Sequence, residues 1–244
     1  EPDCDIVPQP GPLEILYEDE GILALNKESG TLTHPSRAQY MDTLSNYAAF
    51  YLEKEYGDYR CHSVNRLDRG TSGAVLFSKN AYFMDRCAYA LGRPDAFKEY
   101  TAVCIGHFAE KEGTIDLPIF RPDSRDIIRT VDGRGQRAVT HFKAVFEGEV
   151  LGEAVSVVQL RLETGRTHQI RVHLNHIGHP ILGDNMYFSP LSKEISQKLD
   201  MFSQALHAGK MGFTHPLSGS FITIAAPVNR DDMKNVLSRI GYSV

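Results

Sequence analysis

Residues 64–79, reading VNRLDRGTSGAVLFSK, set two cations, one carboxylate and a Thr-Ser-Gly turn in front of the apolar run Ala74, Val75, Leu76 and Phe77. This is a polar loop feeding a buried strand. Asp68 stands between Arg66 and Arg69, and neighbouring guanidinium groups favour the charged form of a carboxylate, while the glycines let another backbone come close. Asp68 is the best candidate in the chain for a reactive group, as nucleophile or general base. Taken alone, the loop has the composition of any solvated turn, so its weight depends on two further stretches. Phe97-Lys98-Glu99-Tyr100 opens a strand, and residues 164–171, TGRTHQIR, join another strand to a helix.

Other chemistries find less support. His168, His173, His176 and His179 crowd one segment, but their spacing repeats no known ligand pattern and no cysteine pair joins them, so no metal site is expected. A Walker loop and a Rossmann glycine fingerprint are both missing, which leaves no sign of a nucleotide cofactor. Cys4, Cys61, Cys87 and Cys104 are scattered without a C-x-x-C pair and should be free thiols. The formal charge of −5 argues mildly against a nucleic-acid partner. Arg66, Arg69, Arg166 and Arg171 nevertheless all belong to the three key stretches, so a basic cleft on an acidic body satisfies both observations.

The elements that must position these groups follow from periodicity. Residues 1–12 carry four prolines and form a tail or extended arm; residues 13–244 are long enough for one large domain or two lobes sharing a core. Two short apolar runs flank the Glu-Asp-Glu-Gly turn at 18–21, a hairpin pattern. Thr43 and Asn80 open two helices, the second stopped by Gly92 and Pro94. Along the strand at 97–105, alternation puts Lys98 and Tyr100 on one face and Val103 and Ile105 on the other. Residues 113–135 form a long polar loop whose arginines, with Arg137 just beyond, suit phosphate contacts. Strands at 139–147 and 155–162 precede a helix that Thr167 can cap, with Ile170, Leu174 and Ile177 as its buried stripe and Gly178 at its end. Arg171 lies at the edge of that stripe. A helical insertion at 189–202, packed by Leu191, Ile195, Leu199 and Met201, a hairpin over 205–225 and a closing helix at 231–240 complete the chain. The pattern is α+β, with a mixed, mainly antiparallel sheet and flanking helices. No apolar run reaches the roughly 18 residues of a membrane span, and a soluble cytoplasmic monomer is expected.

The three stretches, in this order, resemble the RluA family of RNA pseudouridine synthases. The resemblance extends from Leu25-Asn26-Lys27 through the GHPILGD run at 178–184 to Leu206-His207-Ala208 and Phe213-Thr214-His215-Pro216, nearly the whole chain. It implies a pseudouridine-synthase-like fold, one sheet bent into two lobes with a central cleft, and a catalytic set of Asp68, Tyr100 and Arg171. In that set Asp68 is the reactive carboxylate, Tyr100 stacks on the uracil, and Arg171 pairs with Asp68. Arg66, Thr71, Arg166, His168 and Gln169 become candidate substrate-binding residues. The reaction breaks the bond from ribose C1′ to base N1, turns the base and rejoins C1′ to C5; it is redox-neutral and implies no cofactor. The implied partner is a structured RNA, a ribosomal or transfer RNA stem-loop.

The family pattern usually places His before Arg-Leu-Asp, and this chain has Asn65 there. An S4-type RNA-binding module, common in the family, is not evident. A hydrolase of N-glycosidic bonds would want a second carboxylate beside the first, whereas cations surround Asp68. A non-catalytic RNA-binding protein would tolerate loss of Asp68, Tyr100 or Arg171, and all three are present.

Overall fold

In the computed structural model, residues 6–36, 38–58, 60–123 and 125–243 are described; Cys4 and the first part of the expected tail lie outside them. Hairpin β1 (Ile15–Glu18) and β2 (Ile22–Lys27) turns on Asp19, whose carboxylate accepts the Gly21 and Ile22 N–H groups at 2.8 and 2.9 Å. Helix α1 (Leu44–Tyr56) begins at Thr43 with a reciprocal capping box to Asn46 and ends on Gly57 in the left-handed region, the two local signals its sequence carries. Val7 and Gln9 dock on this helix through Asn46, so this part of the N-terminal segment is an arm held against the body.

Strand β3 (His62–Ser63) leads into β4 (Ser72–Ser78), and helix α2 (Ala81–Leu91) starts from the Asn80 cap. Strand β5 (Phe97–Ile105) has the expected bounds. The polar stretch after it is not a loop throughout. Strand β6 (Glu112–Asp116) joins a sheet, and β7 (Ile119–Phe120) and β8 (Thr130–Val131) make a separate two-stranded ribbon. Two-residue strands are too short for any periodicity to show. Beside the ribbon, Gly135 leaves room for Ile119 and Gln136 to exchange backbone hydrogen bonds of 2.9 Å in an isolated bridge.

Strands β9 (Val139–Val150) and β10 (Glu153–Leu162) form a hairpin longer than the alternation alone predicts. Its two-residue turn, Leu151 and Gly152, has both φ values positive, the backbone a tight hairpin requires. Helix α3 (Gln169–His176) is not capped by Thr167 as expected: the cap position is His168, at φ 57° with no side-chain cap bond. Helix α4 (Pro190–Lys198) follows a Ser189 capping box, and its buried face is Ser192, Ile195 and Ser196, with the expected packing residue Leu191 exposed. Strands β11 (Leu206–Thr214) and β12 (Phe221–Ala225) and helix α5 (Asp231–Arg239) close the chain.

The fold is α+β, mainly antiparallel, in two compact units. The first holds the chain up to Phe97 together with Ala208–Asn229. At its centre β4 pairs antiparallel with β2 and with β3, and β11 carries β12. Every residue of β2 and β4 is buried, which explains why both read as continuous apolar runs rather than alternating ones. The second unit holds Lys98–His207 and the chain from Arg230 onward. Its meander runs β5, β10, β9, β6, all antiparallel. Cys61, Cys87 and Cys104 are free and buried, and burial pushes the Cys61 thiol up to about 12. Among the described residues no helix is long and apolar enough to cross a membrane.

Gly73 sits in β4 at φ 114°, and a Cβ there would lie 2.3 Å from the Ala208 carbonyl oxygen. Both the conformation and the contact oppose a side chain. Gly73→Ala should therefore cost about 2–4 kcal/mol, read as a lowered urea midpoint; an unchanged midpoint would contradict this packing.

Candidate active site

The backbone on both sides of Asp68 is held by groups far away in sequence. The Thr33 hydroxyl accepts the Leu67 N–H at 3.2 Å and donates to the Leu67 carbonyl at 3.1 Å. The Arg69 carbonyl accepts the Gly30 N–H at 2.8 Å and Lys27 Nζ at 3.1 Å. Lys27 has no exposure, and its ammonium also donates to the Glu28 and Thr31 carbonyls. An ammonium carries three donors, and here it draws three carbonyls from two loops around one point. Ser29 Oγ donates to the Gly70 carbonyl, and Thr71 N–H closes the turn on the Asp68 carbonyl at 3.0 Å.

Asn65, standing where the family usually has His, has a definite place. Its side-chain oxygen accepts the Leu76 N–H at 2.8 Å, and its amide donates to the Ala74 carbonyl. The side chain thus laces the start of the loop to β4. Leu67 is buried, Arg66 and Arg69 are exposed, and Asp68 is half-buried between them. Thr71, at 2% exposure, sits beneath the loop.

Tyr100, Arg166, His168, Gln169 and Arg171 belong to the second unit. Tyr100 lies opposite Leu160 in the β5–β10 pairing and is 8% exposed; Lys98, two residues before it, has its pKa lowered by burial. Arg171 is not at the edge of a buried stripe. All of α3 from Gln169 to Leu174 is buried, and Arg171 is met there by Asp184. The guanidinium donates from Nε to Asp184 Oδ2 at 2.7 Å and from Nη2 to Oδ1 at 2.8 Å, with side-chain exposures of 4% and 0%. This is the planar two-point fit of arginine to carboxylate. Asp184 Oδ1 also accepts the Met186 and Tyr187 N–H groups, and the Arg171 guanidinium lies 5.0 Å from the Tyr187 ring centroid.

Gln169 spends its whole amide inside the protein. Its oxygen accepts Thr164 Oγ1 and the Arg166 N–H, and its nitrogen donates to the Val139 carbonyl and Thr140 Oγ1. It holds the 164–166 turn against β9 and leaves Arg166 exposed. The histidines have separate partners rather than a common centre. His173 bridges Thr140 Oγ1 and the Leu117 carbonyl, and burial lowers its pKa, favouring the neutral ring. His179 reaches the Ile105 carbonyl and stacks on Phe108, and His168 Nδ1 meets the Tyr187 hydroxyl at 2.9 Å. Among the described residues no group of three or more His, Cys, Asp or Glu could hold a metal ion.

Arg121, Arg125, Arg129 and Arg134 fold back on their own segment, whereas Arg137 reaches out to Glu163 at 3.3 Å. Arg121 donates to the Asp126 carbonyl, Arg129 to the Ile127 carbonyl, and Arg125 and Arg134 pair with Asp123 and Asp132. The Arg134 guanidinium holds the Asp132 carboxyl down to about 2. These pairs are largely exposed, so they are weak and exchangeable.

Sequence reasoning did not single out Lys27, Thr33, Asp184 or Tyr187 as members of the site. Two of them left a signal. Lys27 is a lone cation ending the apolar run ILALN, and Asp184 is the only acidic residue between Glu163 and Glu194.

Comparison with known proteins places these features in a family. The profile described as RNA pseudouridylate synthase matches residues 21–176. An uncharacterized RNA pseudouridine synthase of Bacillus subtilis (strain 168), YhcT, is 39% identical over 231 residues, 95% of this chain and 73% of that protein. Ribosomal large subunit pseudouridine synthase D of Zymomonas mobilis is 37% identical over 232 residues, covering 92% and 72% respectively. Among solved structures, human RNA pseudouridylate synthase domain containing 1 superposes with TM-score 0.71 at 26% identity, covering 90% of this chain and 86% of that one.

Replacing Lys27 by Met keeps the apolar stem and strands the three carbonyls. A loss of about 3 kcal/mol or more in stability is expected, on the order of 1 kcal/mol for each orphaned acceptor, measured by denaturant unfolding. A variant as stable as the wild type would show that the ammonium does not hold the Asp68 loop.

Proposed function

The chain belongs to the RluA family of RNA pseudouridine synthases, and from that premise we propose that Asp68, Tyr100 and Arg171 carry its isomerisation of uridine to pseudouridine. The observation that supports Asp68 most directly is its backbone. With Leu67 and Arg69 held at both ends by Thr33, Gly30 and Lys27, a half-buried carboxylate is presented from a fixed frame, as a reactive group requires.

The base must leave C1′ as its N1 bond breaks, turn, and return through C5. Nothing is oxidised, and the atoms of the product are those of the substrate. Asp68 supplies the one ionised carboxylate the reaction needs, either as nucleophile or as base at C2′. Arg171, its plane already fixed by Asp184, is the guanidinium this reading assigns to steadying the reacting carboxylate. Tyr100 stacks on the uracil and assists loss of the C5 proton. Extruding a paired uridine costs a few kcal/mol, and the exposed Arg66 fills or props the vacated stack.

Arg166 and His168 meet phosphates, while Thr71 and Gln169 serve them by holding the two turns in place. The substrate we infer is a stem-loop of ribosomal or transfer RNA, contacted by the 121–137 segment and the Arg66 region. The exposed arginines there can exchange their aspartate partners for phosphates at little cost. The name of the Zymomonas mobilis relative favours ribosomal RNA. The enzyme works as a monomer in the cytoplasm without a cofactor or metal.

Asp68→Asn should abolish tritium release from 5-tritiated uridine in bulk RNA, with unfolding and RNA affinity little changed; appreciable turnover by the variant would end the assignment of Asp68. Dialysis of the wild type against a strong chelator should leave the rate as it was. For the substrate, pseudouridine mapping of total RNA from cells with and without the gene should show the loss of positions in ribosomal or transfer RNA. Loss confined to messenger RNA would overturn the stem-loop reading and leave the catalytic one standing.

A further inference from the structure

A guanidinium is planar, and fixing it takes one constraint in its plane and one on its face. Arg171 has both, from two residues three apart in sequence. Asp184 holds the plane with two hydrogen bonds, and the guanidinium carbon lies over the Tyr187 ring, 5.0 Å from its centroid. The two are tied to each other, because the Tyr187 N–H donates to Asp184 Oδ1 at 3.0 Å. The Tyr187 hydroxyl then reaches outward. It accepts the backbone N–H of Arg129 at 2.8 Å and contacts His168 Nδ1 at 2.9 Å. Burial raises the pKa of this phenol, so it keeps its proton, and with Arg129 donating to its oxygen that proton is available to His168 Nδ1. Tyr187 is 5% exposed, which excludes solvent from replacing these partners.

We propose that Tyr187 is a positioning residue that couples the 121–137 segment to the Arg171 guanidinium, so that RNA engagement by the segment sets the orientation of the catalytic arginine. This rests on the reading above, in which the segment contacts RNA and Arg171 acts in the reaction. The coupling runs through one rigid side chain. A shift of the Arg129 backbone moves the phenol oxygen, the ring turns about its own Cβ, and the cation on its face follows or loses contact. Asp184 limits the response to rotation within a fixed ion pair. His168, held in the left-handed region immediately before α3 at φ 57°, shares the same hydroxyl, so the start of the helix bearing Arg171 is joined to the segment as well. A residue that only filled space could be replaced by Phe without effect; a coupling residue could not, because the hydroxyl is the joint.

The test is Tyr187→Phe, which keeps the ring under Arg171 and removes only the hydroxyl. Single-turnover pseudouridine formation should fall roughly tenfold, while RNA affinity by filter binding stays within about twofold. Amide exchange in a peptide spanning Arg129 should accelerate in the variant and be slow in the wild type. An unchanged rate overturns the proposal, as does a loss found wholly in affinity. Exchange of the Arg129 amide at the open-chain rate in the wild type overturns it without reference to any variant. A wild-type protein that forms no pseudouridine in bulk RNA would instead defeat the functional reading itself, and the role in turnover with it; an active wild type with a fully active Tyr187→Phe defeats only the role of Tyr187.

Discussion

A cation shut away from water must have its donors met by oxygen, and each of the two compact units is arranged around one such cation. The penalty for a buried unpaired charge is several kcal/mol, larger than most single contributions to stability. Lys27 in the first unit and Arg171 in the second therefore dictate the path of the chain around them. Lys27 gathers carbonyls from Glu28, Thr31 and Arg69, so the two loops that contribute them can take only one arrangement. Arg171 demands a carboxylate in its own plane, and the chain after α3 turns back through Gly183, at φ 76°, to bring Asp184 there.

The two solutions differ in kind. Around Lys27 the partners are neutral carbonyls of main chain, which fixes the backbone on the C-terminal side of Asp68. Around Arg171 the partner is a full charge, which fixes the guanidinium itself. That pairing also accounts for the extent of burial in α3. A helix with six successive buried residues needs each polar one satisfied, and Gln169, Arg171 and His173 are met by Val139, Asp184 and Thr140 respectively.

An acidic protein that acts on RNA is less paradoxical once the arginines are located. Arg121, Arg125, Arg129 and Arg134 are already paired with aspartates or carbonyls of their own segment, and Arg137 with Glu163. Surface pairs of this sort contribute little to stability and can be exchanged for phosphate. The formal charge of −5 thus reports the whole body and says nothing about where exchangeable cations stand.

Much was legible in the sequence, and for local reasons. The β2 and β4 runs, the Thr43 and Asn80 caps, the β5 alternation and the Asp68 loop all depend on residues within a few positions of one another, the range over which propensity and capping act. The motifs that carry the family resemblance were equally local, each a contiguous string. What stayed hidden involves distance along the chain. The β7–β8 ribbon pairs Ile119 with Val131, and Gly135 lets Ile119 also meet Gln136. The cap of α3 fell to His168 rather than Thr167 because Gln169 had already bound the turn before it. Lys27 meets Arg69 across 42 residues and Arg171 meets Asp184 across 13. The sequence by itself determined the family, through its contiguous motifs, and most of the elements that carry them. Only the tertiary structure decided which oxygen answers each buried cation, because that choice depends on who is left within hydrogen-bond reach once water has been excluded.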